Sequence, residues 1–333
     1  MEINKILFFK AGAIGDFLQS LPALRALKKK FPSAHVDVVV SSGIEQLIQG
    51  TDIANTIYIY DKEAFKTNII DFVSFGLRLR KERYDLFVDM QSSTRSLILR
   101  RLSGASRVLV YRKQKKVKPG ERRLHAAENF MEAIRPLGIT DAVDRIRLPL
   151  KPGEGAGVDR FLTERGINKD KPLIALNCGV GSARPSRNWF PERFTILADR
   201  LISDLDAEVV FVGGREDREL VDSVMARMKR KAVSAAGELP IARTAALLAR
   251  CKCLVSSDTG PLHLATAVQT AVVGLFGSTD PRRTGPVGPG HTVLLKKLPC
   301  VPCEDKHCPF GTRKCMADIT VEEVFESVRK VIR

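Results

Sequence analysis

Asp258-Thr259-Gly260-Pro261-Leu262-His263 brings an acid, a hydroxyl, a glycine and a histidine into one short stretch. It follows the apolar run Cys253-Leu254-Val255 and precedes the alanine-rich Ala265-Thr266-Ala267, so it reads as a strand, a tight turn and the start of a helix. Gly260 permits close backbone approach, and Pro261 suits the first helical position. Unpaired N–H groups at a helix start favour an anion. Together these groups suit a nucleotide diphosphate, although Asp258 or Thr259 would equally serve as a plain helix cap.

Four other strand ends carry similar chemistry. Lys10-Ala11-Gly12-Ala13-Ile14-Gly15-Asp16 lets a ligand approach two glycines and places a carboxylate at a helix start. Asp16 there can accept a proton from an attacking hydroxyl, or simply complement the helix dipole. The glycines are spaced G-x-x-G, without the leading G-x-G turn of the dinucleotide fingerprint, which argues against a nicotinamide oxidoreductase. The loop Asn177–Trp189 holds Gly179, Gly181, Ser182, Arg184, Arg187 and Asn188, a set suited to phosphate. Val212-Gly213-Gly214-Arg215-Glu216-Asp217 offers acids for ribose hydroxyls or for a helix cap, and Gly277–Pro286 again mixes glycine, hydroxyls and arginines.

The elements that must position these groups alternate. In the first half, strands at Lys5–Phe9, Val36–Val40, Ile57–Tyr60, Leu86–Val88 and Val108–Val110 are separated by helical stretches such as Phe17–Lys30 and Phe65–Lys81. The second half repeats the alternation from Leu173 to Phe276. Regular β-α alternation with β-branched strands predicts parallel sheets covered on both faces, an α/β fold. A chain of 333 residues exceeds a usual single core. The expected division is residues 1–150, then a Gly- and Pro-rich linker at Lys151–Gly157, then residues 158–318. Thr320–Arg333 reads as an amphipathic helix with a capping box, and the segment 319–333 is expected to pack back on the first domain.

Lys and Arg number 54 against 38 Asp and Glu, a formal net charge of +16. Such an excess implies an anionic partner. The charge concentrates at Arg107, Arg112, Lys113, Lys115, Lys116, Lys118, Arg122 and Arg123. One tryptophan and four tyrosines leave few platforms for base stacking, which argues against nucleic acid. The short, charged N-terminal run reads as a first strand and not as a signal peptide, and no stretch approaches the ~18 apolar residues of a membrane span. These features point to the cytoplasm. Cys300, Cys303, Cys308 and Cys315 follow spacings of two, four and six residues. They either hold a zinc ion or pack as reduced thiols, and the spacing fits no standard zinc ribbon.

Gly15-Asp16 with Leu21-Pro22-Ala23-Leu24-Arg25-Ala26-Leu27, then Asp258–Leu264, then Leu275-Phe276-Gly277-Ser278-Thr279-Asp280-Pro281 closely resembles glycosyltransferase family nine, the ADP-heptose:lipopolysaccharide heptosyltransferases. The tail from Cys300 to Met316 also looks like that family. The resemblance implies a GT-B architecture, two Rossmann-like domains with parallel sheets facing a central cleft. It implies a metal-independent, inverting transfer of a heptose from ADP-heptose to an acidic lipopolysaccharide core acceptor, with no cofactor. Asp16 matches the family's proposed base. Asp258, Thr259, Gly260 and His263 match its nucleotide-sugar contacts, Glu216 its ribose acid, and Ser182 adds a hydroxyl for the diphosphate. Arg187 stands where members often carry a phosphate-contacting lysine, so a planar fork replaces a point charge. Gly15, Arg95, Arg100, Arg112 and Arg122 are then expected to meet the acidic acceptor. The enzyme would work peripherally at the cytoplasmic face of the inner membrane.

Overall fold

The structure, a computed structural model, describes residues 2–114, 122–179, 181 and 184–332. The chain separates into two compact units, Met1–Pro149 and Leu150–Arg333. In the first, β1 (Lys5–Phe9), β2 (His35–Val40), β3 (Thr56–Ile59), β4 (Leu86–Asp89) and β5 (Arg107–Val110) form one sheet in the order β3-β2-β1-β4-β5. Every pairing is parallel. The inner strands β1, β2 and β4 are buried almost throughout, as helices on both faces of a parallel sheet require.

The second unit contains β6 (Leu173–Asn177), β7 (Glu208–Phe211), β8 (Val233–Ser234), β9 (Cys253–Ser257), β10 (Ala271–Phe276) and β11 (Thr292–Leu295), ordered β11-β10-β9-β6-β7-β8 and again parallel. The strand order reverses between β1 and β4 in one sheet and between β6 and β9 in the other. In open α/β sheets such reversals open a crevice at the carboxyl ends of the strands. The short edge strands β8 and β11 escape sequence reading because neither shows a buried run.

Two expectations change. Lys151–Gly157 is not a linker as a whole: Glu154–Glu164 is a helix, entered through Gly153 at φ 84°. Its glycines face a neighbouring helix, Ile241–Arg250, where a Cβ at Gly157 would stand 2.7 Å from Arg243 Nε. Arg243 in turn donates to Glu154 at 2.9 Å. The stretch Phe65–Lys81 is two helices, Ala64–Thr67 and Ile69–Lys81, because the Asn68 side chain caps the second by accepting from the N–H groups of Ile70 and Asp71. The last helix, Val321–Ile332, closes the second unit. Its apolar stripe of Val324, Phe325 and Val328 is buried in the second unit's own core, with Leu197, Leu201, Val209 and Phe211. Trp189 locks the approach to that helix by donating its indole N–H to Ile319 O at 3.0 Å.

Candidate functional site

Each unit presents a charged constellation at its strand-order reversal. In the first, β1 runs directly into Lys10, whose side chain is 3% exposed and charged although it follows a strand of apolar residues. The neighbouring helix begins at Ile14, so Asp16 sits in its first turn beside Gly15, where the dipole favours a carboxylate. Lys10 Nζ lies 3.3 Å from Asp16 Oδ2 and 3.0 Å from Gln91 Oε1, donates to the Gly12 carbonyl, and stands 5.9 Å from the centre of the Phe130 ring. Burial lowers the Lys10 pKa, and the Asp16 and Asp89 carboxylates resist that shift. Asp16 itself keeps a side chain 59% exposed. The buried lysine thus orients an open carboxylate, which can accept a proton from a bound hydroxyl.

The other residues expected on the acceptor side divide. Arg100 reaches the fully buried Asp89 at 3.3 Å and is itself mostly covered, so its charge is committed to the base of this site. Asp89 also accepts from the N–H groups of Gln91 and Ser92, both at 2.9 Å, which shapes the turn that delivers Gln91 to Lys10. Arg95 is half-buried and hydrogen-bonds the Tyr60 hydroxyl. Arg112 is exposed, with its carbonyl held by Asn129 at 3.1 Å. Arg122 is exposed and paired with Glu128 at 2.8 Å. Lys115, Lys116 and Lys118 of the basic segment lie outside the described residues.

In the second unit β6 ends in Asn177, whose amide nitrogen donates to Ser256 Oγ and Thr259 Oγ1, both at 3.0 Å, and to Gly179 O at 2.9 Å. This one side chain ties the loop after β6 to the turn after β9 across the reversal. The helix Gly260–Ala267 opens there, with Thr259 extended at its N-cap. A Cβ at Gly260 would meet nothing within 4 Å, so the helix start faces open space.

Behind that start lies Asp258, 2% exposed. Arg187 donates to its main-chain carbonyl at 2.5 Å and stands 3.4 Å from its carboxylate. His263 Nε2 lies 3.4 Å from Oδ1, and Thr284 donates to Oδ2 at 3.0 Å. Burial alone would raise the Asp258 carboxyl, but His263, then Arg187 and Thr279, outweigh it and hold it down at about 2. Burial lowers the Arg187 pKa, with Asp258 opposing. Arg184 and Arg283 complete a cationic group: Arg283 pairs with Glu304, and Arg184 donates to the Glu304 carbonyl at 3.4 Å. Among the described residues, the donors Arg187 Nε and Arg283 Nε are buried without a hydrogen-bond partner. Unsatisfied donors at the mouth of a parallel sheet fit a polyanionic ligand.

Glu216 is exposed in the short turn Arg215–Asp217 after β7, the strand beside β6. Its neighbour Asp217 is closer to the group. It accepts from Gly214 N at 2.9 Å, and a Cβ at Gly179 would collide with its carboxylate. Burial raises the Asp217 pKa. Ser182 lies outside the described residues.

Sequence reading pointed to the carboxyl ends of these strands but did not single out Lys10, Asn177 or Glu304. A lone lysine closing an apolar strand and an asparagine closing another were the available signals. Glu304, far along the chain from the arginines it holds, gave none.

Residues 72–314 match the model of glycosyltransferase family 9 (heptosyltransferase). Lipopolysaccharide heptosyltransferase 1 of Pseudomonas aeruginosa is 26% identical over 319 residues, covering 92% of this chain and 88% of the relative. The solved structure of the family 9 glycosyl transferase from Veillonella parvula superimposes with a TM-score of 0.87 at 22% identity, covering 100% of this chain and 98% of the other. ADP-heptose lps heptosyltransferase II of E. coli gives a TM-score of 0.81 at 21% identity over 98% of both chains. The two Rossmann-like α/β units are therefore those of the GT-B fold.

Proposed function

Since the chain belongs to glycosyltransferase family 9 (heptosyltransferase), we propose that it moves a heptose from ADP-heptose to an acidic lipopolysaccharide core acceptor, with inversion and without a catalytic metal. The observation that carries this reading is the cluster around Asp258, where Arg187, His263 and an open helix start converge at the reversal point of the second sheet. Cleavage of the sugar–phosphate bond leaves negative charge on the diphosphate. Arg187, Arg184, Arg283 and the N–H groups at Gly260 supply preorganised positive charge for it. With those cations present, transfer needs no metal to neutralise the leaving group.

Asp258, ionised over the whole neutral range, holds Arg187 and His263 in place and is not itself a proton carrier. The ribose hydroxyls fall to Glu216 or to Asp217 beside it. Asp16 takes the acceptor proton as the hydroxyl attacks, and attack from the face opposite the leaving diphosphate inverts the anomeric centre. Gly15 gives the acceptor room beside Asp16. The exposed Arg112 and Arg122 meet acidic groups of the core, with Arg95 nearer the helix start.

Among the described residues no helix is long and apolar enough to cross a membrane. The excess of 54 cationic over 38 anionic side chains supports peripheral, charge-driven contact with the inner membrane, where the acceptor is anchored.

A panel of ADP-, UDP- and GDP-linked sugars offered with a lipopolysaccharide core acceptor tests the assignment. Turnover confined to ADP-heptose, with an inverted product anomer and full activity in EDTA, is the expected result. Turnover of a UDP or GDP sugar in its place would move the protein to another donor class.

A further inference from the structure

Two helices cover one face of the first sheet. The connections from β3 to β4 and from β4 to β5 run along the sheet in the same direction, so the helices Ile69–Lys81 and Thr94–Ser103 share that face. They pack closely side by side, since a Cβ at Gly76 would stand 2.6 Å from Leu102 Cδ1. Phe72, Phe75 and Leu79 of the first helix and Leu99 of the second turn inward and are buried.

The outward surface is apolar too, which a helix pair facing only water does not need. Ile69 is 65% exposed and Ile70 76%, and Leu77 and Ile98 are also exposed. Ile70 and Leu77 stand two turns apart on one stripe, which the exposed Lys81 continues. On the second helix the exposed Arg101 follows Ile98 by three residues. Each helix carries three cationic side chains, and the pair contains one acid, Asp71. That carboxylate accepts from Asn68 Nδ2 at 2.8 Å, so its charge is engaged within its own turn. Helix dipoles account for cations in a last turn but not for exposed isoleucines in a first one. An apolar stripe flanked by cations is the chemistry that an anionic headgroup layer over acyl chains complements.

We propose that this two-helix face docks on an anionic lipid bilayer, with Ile69 and Ile70 entering the interface and Lys81 and Arg101 meeting headgroup phosphates. Resting on the reading of the acceptor as a bilayer-anchored core, it adds the surface by which the chain reaches that acceptor. The helix Ile69–Lys81 follows β3 and the short helix Ala64–Thr67, so its isoleucines stand towards the carboxyl ends of the strands, the edge that carries Asp16. Its 13 residues span about 20 Å. Docking along that length brings the edge with the open carboxylate to the bilayer surface, where sugars attached to a lipid stand.

Full-length protein is sedimented with vesicles of phosphatidylethanolamine and phosphatidylglycerol, free of lipopolysaccharide, and with vesicles of phosphatidylcholine alone. Binding to the anionic vesicles is expected, and little to the neutral ones. Ile69→Ser with Ile70→Ser, and separately Lys81→Glu with Arg101→Glu, should each weaken that binding about tenfold. Both double variants should keep wild-type kcat on a deacylated, water-soluble core acceptor and lose about tenfold in rate on acceptor embedded in vesicles. Because the vesicles carry no acceptor, a wrong acceptor assignment leaves the binding result standing, and a wrong docking face leaves transfer to the soluble acceptor standing. Should a variant fail to fold by circular dichroism, amide hydrogen exchange of the wild type decides, with slowed exchange on vesicle addition expected within residues 69–81 and 94–103. No binding to anionic vesicles, binding undiminished in both folded variants, slowed exchange confined to other segments, or a dimer that both double variants dissolve overturns the proposal.

Discussion

The two strand-reversal sites are electrostatic opposites. In the first unit the cation is hidden and the anion is open: Lys10 is 3% exposed and Asp16 59%. In the second the anion is hidden and the cations reach outward: Asp258 is 2% exposed and Arg187 18%. In each pair the covered member fixes the orientation of the other, and the uncovered member is the one offered to a ligand. A carboxylate at a surface held by a buried lysine suits proton removal, and guanidinium groups held by a buried carboxylate suit phosphate. One sheet design thus carries a buried cation in one unit and a buried anion in the other.

The sharpest way to break the comparison is Asp16→Asn. If the open carboxylate is the base, kcat falls by about 10³ while melting temperature and ADP affinity stay at wild-type values. Steady-state kinetics with calorimetry check both, and retained activity would leave Lys10 orienting a bystander.

Asp258→Asn probes the hidden anion through stability. The native carboxyl is held down at about 2 against an ordinary value of 3.8. A depressed native value stabilises the fold above the unfolded value, and the stabilisation is lost as pH falls through about 4 towards 2. The contribution at neutral pH is about 2 kcal/mol, a factor of about 30 in the folded-to-unfolded ratio. Denaturant titrations from pH 7 down to pH 2 should show the variant less stable at neutrality, with the gap closing in acid.

Lys10→Met keeps an apolar stem against Phe130 and removes the buried charge. About a tenfold loss in kcat is expected, with donor KM unchanged, because only the orientation of Asp16 is disturbed. A change in donor KM alone would tie Lys10 to the wrong half of the chemistry. Gly260→Ala should have the smallest effect. The space around Gly260 accommodates a methyl in the free protein, so stability holds, while donor KM rises about fivefold where the diphosphate approaches the helix start.

Local pattern carried much of the architecture. The apolar runs at Lys5–Phe9, Leu173–Leu176 and Ala271–Phe276 announce buried parallel strands, and the glycine, hydroxyl and acid that follow them announce turns at their carboxyl ends. Those signals lie within a few residues of each other, so they survive without knowledge of the rest of the chain. Gly153–Gly157 misled because composition cannot distinguish a flexible glycine from one chosen to let Arg243 lie against a helix. The final helix shows a related limit of local pattern. Its amphipathic face shows that it must pack but not on which core.

The sequence by itself determined the alternation of strands and helices, the placing of Asp16 and Asp258 at helix starts, and the excess of positive charge. Each follows from side-chain periodicity, capping chemistry or plain counting. Only the tertiary structure decided that Lys10 is buried beneath Asp16, that Arg100 is spent on Asp89, and that Glu304 reaches back to Arg283 and Arg184. Those pairings depend on strand order, which brings β1 beside β4 and β6 beside β9 across long stretches of chain. A charge on an isolated segment has no fixed partner until the sheet closes around it.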